Sequence, residues 1–237
     1  MSIDLITLKN PKSPISEAYR TLRTNIQFSN VDGNLQTICV TSSGPAEGKS
    51  TTVSNLAETF AQAGNRVVII DCDLRKPRVH KVFNLTNKVG MTNLLAGQVK
   101  FEEVAQITGS QLTVITSGPI PPNPSELLGS KKMKQVLDDL KGEFDIVLID
   151  APPVGIVTDA AILSTIVDGV VLVVASGRTE IDGAKRAKQL LENVRARILG
   201  VVMTMIPVSK KGYYGYQYYS YYDSEQSQKP KKKFGRR

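Results

Sequence analysis

The stretch that decides the fold runs from Ser43 to Thr51 and reads SGPAEGKST. An apolar run that predicts a β-strand precedes it, and a helical pattern follows it. Glycine in such a loop lets backbone N–H groups turn inward around an anion, because a Cβ would obstruct them. Lys49 has the position and length to reach the β- and γ-phosphates of a nucleotide, and the Ser50 hydroxyl can ligate magnesium. The stretch therefore predicts a phosphate-binding P-loop at the positive end of a helix.

The loop departs from the usual P-loop pattern at one place. Ser43 replaces the first glycine of that pattern, and the glycine is displaced to Gly44. A chance glycine-rich turn is the alternative interpretation, but the strand before the loop and the amphipathic helix after it favour phosphate binding. We expect nine residues to surround the phosphates: Ser43, Gly44, Pro45, Ala46, Glu47, Gly48, Lys49, Ser50 and Thr51.

Further apolar runs bounded by turn residues predict the strands of a sheet. Most are rich in Val and Ile at consecutive positions, as expected for strands buried on both faces. Helical patterns lie between them, one of which begins behind a serine cap at Ser130. Strands that alternate with helices predict a doubly wound α/β fold with a mainly parallel sheet. The runs are Thr37–Thr41, Arg66–Ile70, Leu112–Thr116, Phe144–Ile149, Gly169–Val174 and Ile198–Thr204.

A helix is also predicted ahead of the first strand, over Ser13–Ser29. We treat residues 1–30 as a region separate from the P-loop domain, which is expected over residues 31–208. The helical spacing puts four apolar residues on one face: Ile15, Ala18, Leu22 and Ile26.

Aspartates follow two of the predicted strands. Asp71 and Asp73 come directly after the second run, and Asp150 comes after the run that begins at Phe144. Ligands of open α/β sheets bind at the carboxyl edge of the strands, where these carboxylates are expected to meet Lys49. A buried carboxylate is costly without a cation or donor, and Mg²⁺ prefers oxygen ligands. The pattern predicts magnesium beside the phosphates; the alternative is that the aspartates only cap helices.

Composition limits the other classes of function. The chain has 237 residues, 41% of them hydrophobic, which is enough for one sizeable core. No apolar run approaches the roughly 20 residues of a membrane span, and the N-terminus lacks a secretory signal, so a cytoplasmic protein is expected. The cysteines, Cys39 and Cys72, fall in strand-like runs and indicate buried free thiols. A single histidine argues against a His/Cys metal site or a histidine-based triad.

The C-terminal segment, residues 209–237, loses the periodicity of the domain and predicts a mobile tail. Its eight lysines and arginines face two acidic residues, so its net charge is +6 in a chain of net charge +8. The basic charge thus belongs to the tail and not to a broad nucleic-acid-binding face. A sticky low-complexity segment and aromatic stacking on single-stranded nucleic acid are two interpretations of its tyrosines. The tail holds seven of the eight tyrosines of the chain: Tyr213, Tyr214, Tyr216, Tyr218, Tyr219, Tyr221 and Tyr222.

Taken in order, the motifs resemble the bacterial tyrosine kinase family, in its separate cytoplasmic form from Gram-positive bacteria. The similarity covers nearly the full length, and the tyrosine cluster completes it. Partitioning and septum-positioning ATPases share the P-loop and aspartate motifs, but they carry a signature lysine where this chain has Gly44. Thr204 stands where related ATPases often place an asparagine near the adenine, so this position does not predict base selectivity. The other matching motifs are EAYRTLRTN from Glu17, DCDLRKP from Asp71, PPNPSELL from Pro121 and DAPP from Asp150.

The resemblance implies transfer of the γ-phosphoryl group of ATP to tyrosine. Lys49 and Mg²⁺ would stabilise the charge on the transferring group. The expected metal-site residues are Ser50, Asp71 and Asp150, directly or through water. A tyrosine hydroxyl attacks better when a carboxylate accepts its proton, and either Asp71 or Asp73 could be that base.

The resemblance also implies partners. The tail becomes a flexible arm whose tyrosines accept phosphate in the active site of a neighbouring copy, within a homo-oligomeric ring. Other tyrosine-bearing proteins are expected substrates, and a transmembrane adaptor is expected to recruit the kinase to the inner face of the membrane. Glu17, Arg20 and Arg23 match the family's Glu-x-x-Arg-x-x-Arg oligomer motif and are expected opposite the apolar face of their helix. Without the resemblance, a plain solvated helix face is the favoured interpretation.

Two functions of other classes compete with the kinase. A non-kinase ATPase switch would hydrolyse ATP and leave no stable label on protein. A nucleic-acid-binding module would show salt-sensitive binding that depends on the tail. We expect no stable nucleic-acid partner, and control of exopolysaccharide or capsule synthesis is implied by the resemblance alone.

Overall fold

The computed structural model describes residues 5–29 and 35–207. The chain divides into two compact units, Met1–Met205 and Ile206–Arg237, and every helix and strand given below lies in the first. The tyrosines of the predicted acceptor arm lie outside the described residues. Among the helices of the described ranges, none is both long and apolar enough to cross a membrane.

A seven-stranded sheet forms the centre of the first unit. Its strands are β1 (Thr37–Ser42), β2 (Val67–Asp71), β3 (Ala105–Ile107), β4 (Thr113–Ile115), β5 (Ile146–Asp150), β6 (Gly169–Ala175) and β7 (Ile198–Thr204). They lie in the order β3-β4-β2-β5-β1-β6-β7. Every pairing is parallel except that of β3 with β4. This topology confirms the predicted doubly wound α/β fold with a mainly parallel sheet.

Ten helices are present in the part of the chain that the structure describes. The P-loop helix packs on one face of the sheet, where Leu56 and Phe60 share a core with Ile38. Leu137 and Leu191 belong to the core on the opposite face. The helices are α1 (Ile6–Lys9), α2 (Pro14–Phe28), α3 (Lys49–Gln62), α4 (Val79–Phe83), α5 (Met91–Leu95), α6 (Phe101–Val104), α7 (Pro124–Leu128), α8 (Lys131–Glu143), α9 (Asp159–Ser164) and α10 (Ile181–Asn193).

Strand β3 has no counterpart in the predicted runs. It has three residues, pairs antiparallel at the sheet edge, and is only partly covered, with Ile107 68% exposed. The central strands are covered on both faces and are therefore apolar at consecutive positions. A short, partly exposed edge strand such as β3 lacks that pattern, so the sequence did not predict it.

Helix α2 does not bury the face that its apolar spacing predicts. Leu22 and Ile26 pack on the core, but Ile15 is 47% exposed and Ala18 is exposed as well. The apolar face is therefore buried only in the C-terminal half of the helix. The buried Ser16 hydroxyl, which donates to the carbonyl of Ile6 at 3.1 Å, lies on the packed side instead. Local polar contacts with α1 override the apolar periodicity here.

Candidate active site

Strands β2 and β5 are neighbours, and their last residues are aligned. Asp71 pairs in register with Asp150, so both carboxylates leave the sheet at its carboxyl edge. Helix α3 begins at the same edge, directly after Gly48, whose left-handed φ of +92° favours glycine. A Cβ at residue 48 would lie 3.4 Å from Thr204, an ordinary van der Waals contact, so the reason for glycine is the backbone conformation.

Lys49, the first residue of α3, directs its ammonium group at two carboxylates. Its Nζ lies 2.8 Å from Asp73 Oδ2 and 3.1 Å from Asp150 Oδ1. The Ser50 hydroxyl donates to Asp150 Oδ2 at 2.6 Å. Burial alone would lower the pKa of Lys49, but the carboxylates, Asp150 above all, raise it beyond its usual value. The ammonium group therefore stays charged, as phosphate binding requires.

Asp71 is fully buried and is held by the backbone. Its Oδ1 accepts the N–H of Asp73 at 3.2 Å, and its Oδ2 accepts the N–H groups of Arg78 and Val79 at 3.1 and 3.0 Å. Burial and the neighbouring charge of Asp150 raise the pKa of Asp71 to about 8, against the opposing effect of the lysine. Burial also raises the pKa of Asp150. Carboxylates outnumber the lysine in this cluster, which favours a further cation.

The three residues of the predicted magnesium site differ in the contacts that they already make. Ser50 and Asp150 lie together, whereas the oxygens of Asp71 already accept three backbone N–H groups. Within residues 5–29 and 35–207, no group of three or more His, Cys, Asp or Glu side chains could hold a metal ion. Ser50 and Asp150 nevertheless fit Mg²⁺, which proteins bind through one or two side-chain oxygens together with phosphate oxygens and water. The metal role of all three residues stays a prediction.

The P-loop itself is closed by hydrogen bonds between its own residues. The Ser43 hydroxyl and the Gly44 N–H both donate to the carboxylate of Glu47, at 2.7 and 2.9 Å. Thr204 donates to the carbonyl of Glu47 at 2.6 Å and to that of Val174 at 3.2 Å. The Thr204 hydroxyl is thus bonded to the P-loop and the adjacent strand.

One network near the site was not predicted from the sequence. Arg75 donates from Nε to Asp159 Oδ2 at 2.9 Å and from Nη2 to Asp159 Oδ1 at 3.0 Å. The Ser125 hydroxyl donates to the same Oδ1 at 2.7 Å. Arg75 and Ser125 belong to two of the matching motifs, so the network joins them to the start of α9. The sequence did not indicate Asp159 as part of this network, because Arg75 and Ser125 lie far from it along the chain.

The oligomer motif on α2 is only partly free of contacts. Arg20 pairs with Glu17 at 2.7 Å, one turn away on the same helix. Arg23, in contrast, donates from Nη1 to the carbonyl of Thr59 in α3 at 2.7 Å. Arg23 therefore lies on the packed side of α2, and its expected position opposite the buried face was wrong. The role of the three residues in oligomer contact stays a prediction.

Comparison with known proteins bears on the family of this chain. A family model described as ParA, NUBPL iron-transfer P-loop NTPase, matches residues 34–234. The tyrosine-protein kinase YwqD of Bacillus subtilis is 47% identical over 219 residues, which cover 91% of this chain and 92% of that protein. The chain belongs to the bacterial tyrosine kinase family. The predicted family is confirmed, and the protein is an ATP-dependent tyrosine kinase.

Solved structures support the same assignment. The chimerical protein CapA2B2 is 44% identical with a TM-score of 0.83, covering 86% of this chain and 90% of that one. The kinase domain of the Escherichia coli tyrosine kinase ETK is 32% identical with a TM-score of 0.82, covering 87% of this chain and 83% of that one. Both structures share the P-loop NTPase fold seen here.

The iron transfer in the description of the family model finds no support in the cysteines of this kinase. Reactive and metal-binding cysteines need accessible thiolates. Cys39 and Cys72 are free and buried, as the sequence predicted, and burial raises the pKa of Cys39 to about 12. The model match therefore supports the fold and nucleotide binding only.

Proposed function

We propose that this kinase uses Mg²⁺ and ATP to phosphorylate the tyrosines between Tyr213 and Tyr222 of a second copy, as well as other proteins. The observation that carries the proposal is a group of four side chains at the sheet edge that are linked by ion pairs and a hydrogen bond. They are Lys49, Ser50, Asp73 and Asp150. Catalysis of phosphoryl transfer is mainly a matter of positioning and charge stabilisation, which such a cluster supplies.

The proposed reaction needs few protein groups. Lys49 would bind the β- and γ-phosphate oxygens, and Ser50 and Asp150 would hold the metal, which would supply positive charge at the phosphates. The tyrosine hydroxyl oxygen then forms a bond to the γ-phosphorus while the bond from that phosphorus to the bridging oxygen of ADP breaks. The proton of the hydroxyl passes to a carboxylate, and ADP leaves.

Asp71 and Asp73 are both candidates for that carboxylate. Asp71 is fully buried with both oxygens bonded to backbone N–H groups, whereas Asp73 retains a small exposed fraction and contacts Lys49 directly. Oδ1 of Asp73 also accepts a backbone N–H, that of Lys76 at 3.0 Å, so it is the contact with Lys49, the proposed phosphate ligand, that supports Asp73 as the base. We expect Asp73→Asn to lower kcat by about 10²-fold or more while the KM for ATP changes little. We expect a smaller loss of kcat in Asp71→Asn, and a loss in that variant equal to or larger than the loss in Asp73→Asn would contradict the assignment of Asp73.

Assembly and location are part of the proposal. The exposed Ile15 and Ala18, next to the Glu17–Arg20 pair, supply α2 with an apolar surface for a second copy. We infer a homo-oligomeric ring in which the tail of one copy reaches the site of the next. A membrane adaptor would recruit this ring to the inner face of the membrane, where it would regulate exopolysaccharide or capsule synthesis.

Phosphorylation should loosen this ring. Each phosphate adds about −1.5 to −2 charge, so about five or more phosphates would reverse the +6 of the tail. Light scattering of the kinase before and after incubation with Mg²⁺ and ATP would measure the assembly, and unchanged mass after full phosphorylation would contradict this part of the proposal.

The central experiment is incubation with γ-labelled ATP and Mg²⁺, with and without the cytoplasmic segment of the adaptor, followed by phosphoamino-acid analysis. We expect phosphotyrosine in the tail of the wild type and none in Lys49→Met. A variant with phenylalanine at all seven tail tyrosines should still label an added protein substrate. ATP hydrolysis without labelled protein, even with the adaptor present, would favour the ATPase switch and refute phosphorylation of the tail.

A further inference from the structure

Glu47 is an acidic residue in the middle of a loop that binds phosphates. Its side chain is 5% exposed, so the carboxylate cannot rely on water to solvate its charge. The Ser43 hydroxyl lies 2.7 and 2.9 Å from its two oxygens. The Gly44 N–H donates to Oε2 at 2.9 Å, and the Thr179 hydroxyl donates to Oε1 at 2.6 Å. Hydroxyl and backbone dipoles therefore solvate this carboxylate.

Two other segments of the fold are bonded to the same residue. Thr179 stands between β6 and α10, and its hydroxyl also accepts the N–H of Ala175 at 2.8 Å. Thr204, at the end of β7, donates to the backbone carbonyl of Glu47 at 2.6 Å. Glu47 is thus held through its side chain from one segment and through its main chain from another, immediately before Gly48 and Lys49.

We propose that Glu47 is a positioning residue that clamps the P-loop in its phosphate-binding shape. The carboxylate ties the entry of the loop, Ser43 and Gly44, to its exit, where the backbone turns into α3 and presents Lys49. The clamp accounts for the departure at Ser43, since a glycine there would lack the hydroxyl that donates to Glu47. In this arrangement the Glu47 carboxylate and the Gly44 N–H bond to each other and not to the nucleotide. The sequence had predicted phosphate contacts for both residues.

This inference rests on the proposed binding of ATP phosphates by the P-loop. A carboxylate facing phosphate oxygens would repel them, whereas one turned into the loop can order the N–H groups on the other side. The clamp orders the part of the loop that receives the β-phosphate, so its loss should weaken ATP and ADP alike.

The test is Glu47→Gln in the full-length kinase. Glutamine keeps one carbonyl oxygen as an acceptor but replaces the other with an NH₂ donor. It therefore cannot accept from the Gly44 N–H and the Thr179 hydroxyl at the same time, which weakens the tie between the entry and exit of the loop. We expect the Kd for both Mg·ATP and Mg·ADP to rise about tenfold, while kcat at saturating ATP stays within about twofold. Titration with a fluorescent nucleotide and steady-state kinetics would measure the two quantities. A role in folding alone would lower the active fraction without changing Kd.

Glu58→Gln is the matched control. Glu58 is a buried glutamate farther along α3 whose Oε1 accepts the Ser110 hydroxyl at 2.9 Å, away from the loop. Its replacement should leave nucleotide Kd unchanged. If Glu47→Gln fails to fold, Ser43→Ala and Thr179→Val each remove one donor to the clamp, and each should raise Kd about threefold.

The outcomes separate the clamp from the function on which it rests. Wild-type binding together with an unchanged Kd in Glu47→Gln, or in both Ser43→Ala and Thr179→Val, would overturn the clamp alone. Absence of nucleotide binding by the folded wild type would overturn both the proposed ATP site and the clamp. A double variant of Ser43→Ala and Glu47→Gln that binds no more weakly than Glu47→Gln would support the direct pairing of the two side chains.

Discussion

Arg75 is the residue through which two motifs of the kinase support each other. Its guanidinium group bonds both oxygens of Asp159, which is fully buried and would be costly to leave without a partner. Arg75 also follows Asp73 by two positions in the DCDLRKP motif. A planar guanidinium is needed here, because lysine cannot bond both carboxylate oxygens in one plane.

We therefore expect Arg75→Lys to cost about 1 kcal/mol of stability, since the arginine is partly exposed, and to lower the melting temperature by about 3 °C. The rate of phosphorylation should fall as well, because the loop that carries Asp73 loses its anchor. Calorimetry and the labelling assay would measure these effects. Lys76→Arg, a change at the neighbouring exposed position, is the control, and equal effects of both variants would argue against the Arg75 network.

At the scale of the element, α3 connects the N-terminal segment to the phosphate site. Asn55 Oδ1 accepts the N–H and the hydroxyl of Thr7 at 3.1 and 3.0 Å, and its Nδ2 donates to the carbonyl of Thr51 at 2.9 Å. Thr7 and Asn55 are both buried. The helix that begins with Lys49 is thus tied to α1 through Asn55 and Thr7.

Asn55→Ala should release this tether. The buried donors of Thr7 would lose their partner, so we expect a loss of about 2 kcal/mol and faster amide exchange of Thr7. Urea unfolding and hydrogen exchange followed by NMR would test both effects. Asn193→Ala, an exposed change at the end of α10, should have almost no effect. Retained protection of the Thr7 amide would contradict the tether.

Asp168 links the beginnings of β1 and β6. Its Oδ2 accepts the N–H groups of Gln36 and Thr37 at 3.0 and 2.8 Å, and its Oδ1 accepts from Lys141 at 3.1 Å. Burial alone would raise the pKa of Asp168, but hydrogen bonds from Thr37, then Gln36 and Lys141, lower it below its usual value. The ionised carboxylate therefore stabilises the folded state.

A depressed folded-state pKa means that this stabilisation is present above the unfolded pKa of about 4 and is lost as pH falls through the folded value. Asp168→Asn should be less stable than wild type near pH 7, and the difference should shrink as the pH is lowered below 4. Urea unfolding at several pH values would show this convergence. Asp182→Asn, at an exposed carboxylate, serves as the control, and a constant difference for Asp168→Asn would contradict the assignment.

At the scale of the whole molecule, the exposed apolar residues of α2 bear on assembly. We expect Ile15→Glu to weaken self-association and the phosphorylation of one copy by another, because a charge would replace the apolar contact. Melting temperature should not change, since Ile15 is 47% exposed. Thr21→Glu places the same charge at another exposed position of α2 and is the control. Sedimentation would measure the assembly, and equal association of both variants would remove α2 from the interface.

Local sequence patterns were sufficient to predict the central strands and helices in their order along the chain. They also predicted the P-loop and the aspartates at the strand ends. Buried parallel strands are apolar on consecutive positions, and a phosphate loop needs glycine and lysine at fixed spacing, so both leave a signal within a few residues. The exposed side of α2 and the edge strand β3 were not predicted, because partners elsewhere in the chain decide what they cover.

What the sequence by itself determined is the fold class, the kinase family and the residues that gather at the sheet edge. Only the tertiary structure decided the contacts that hold them there. Glu47 meets Thr179 across 132 positions of the chain, and Arg75 meets Asp159 across 84. Such pairs produce no recognisable spacing along the sequence. Their distance in space depends on which strands lie side by side in the sheet.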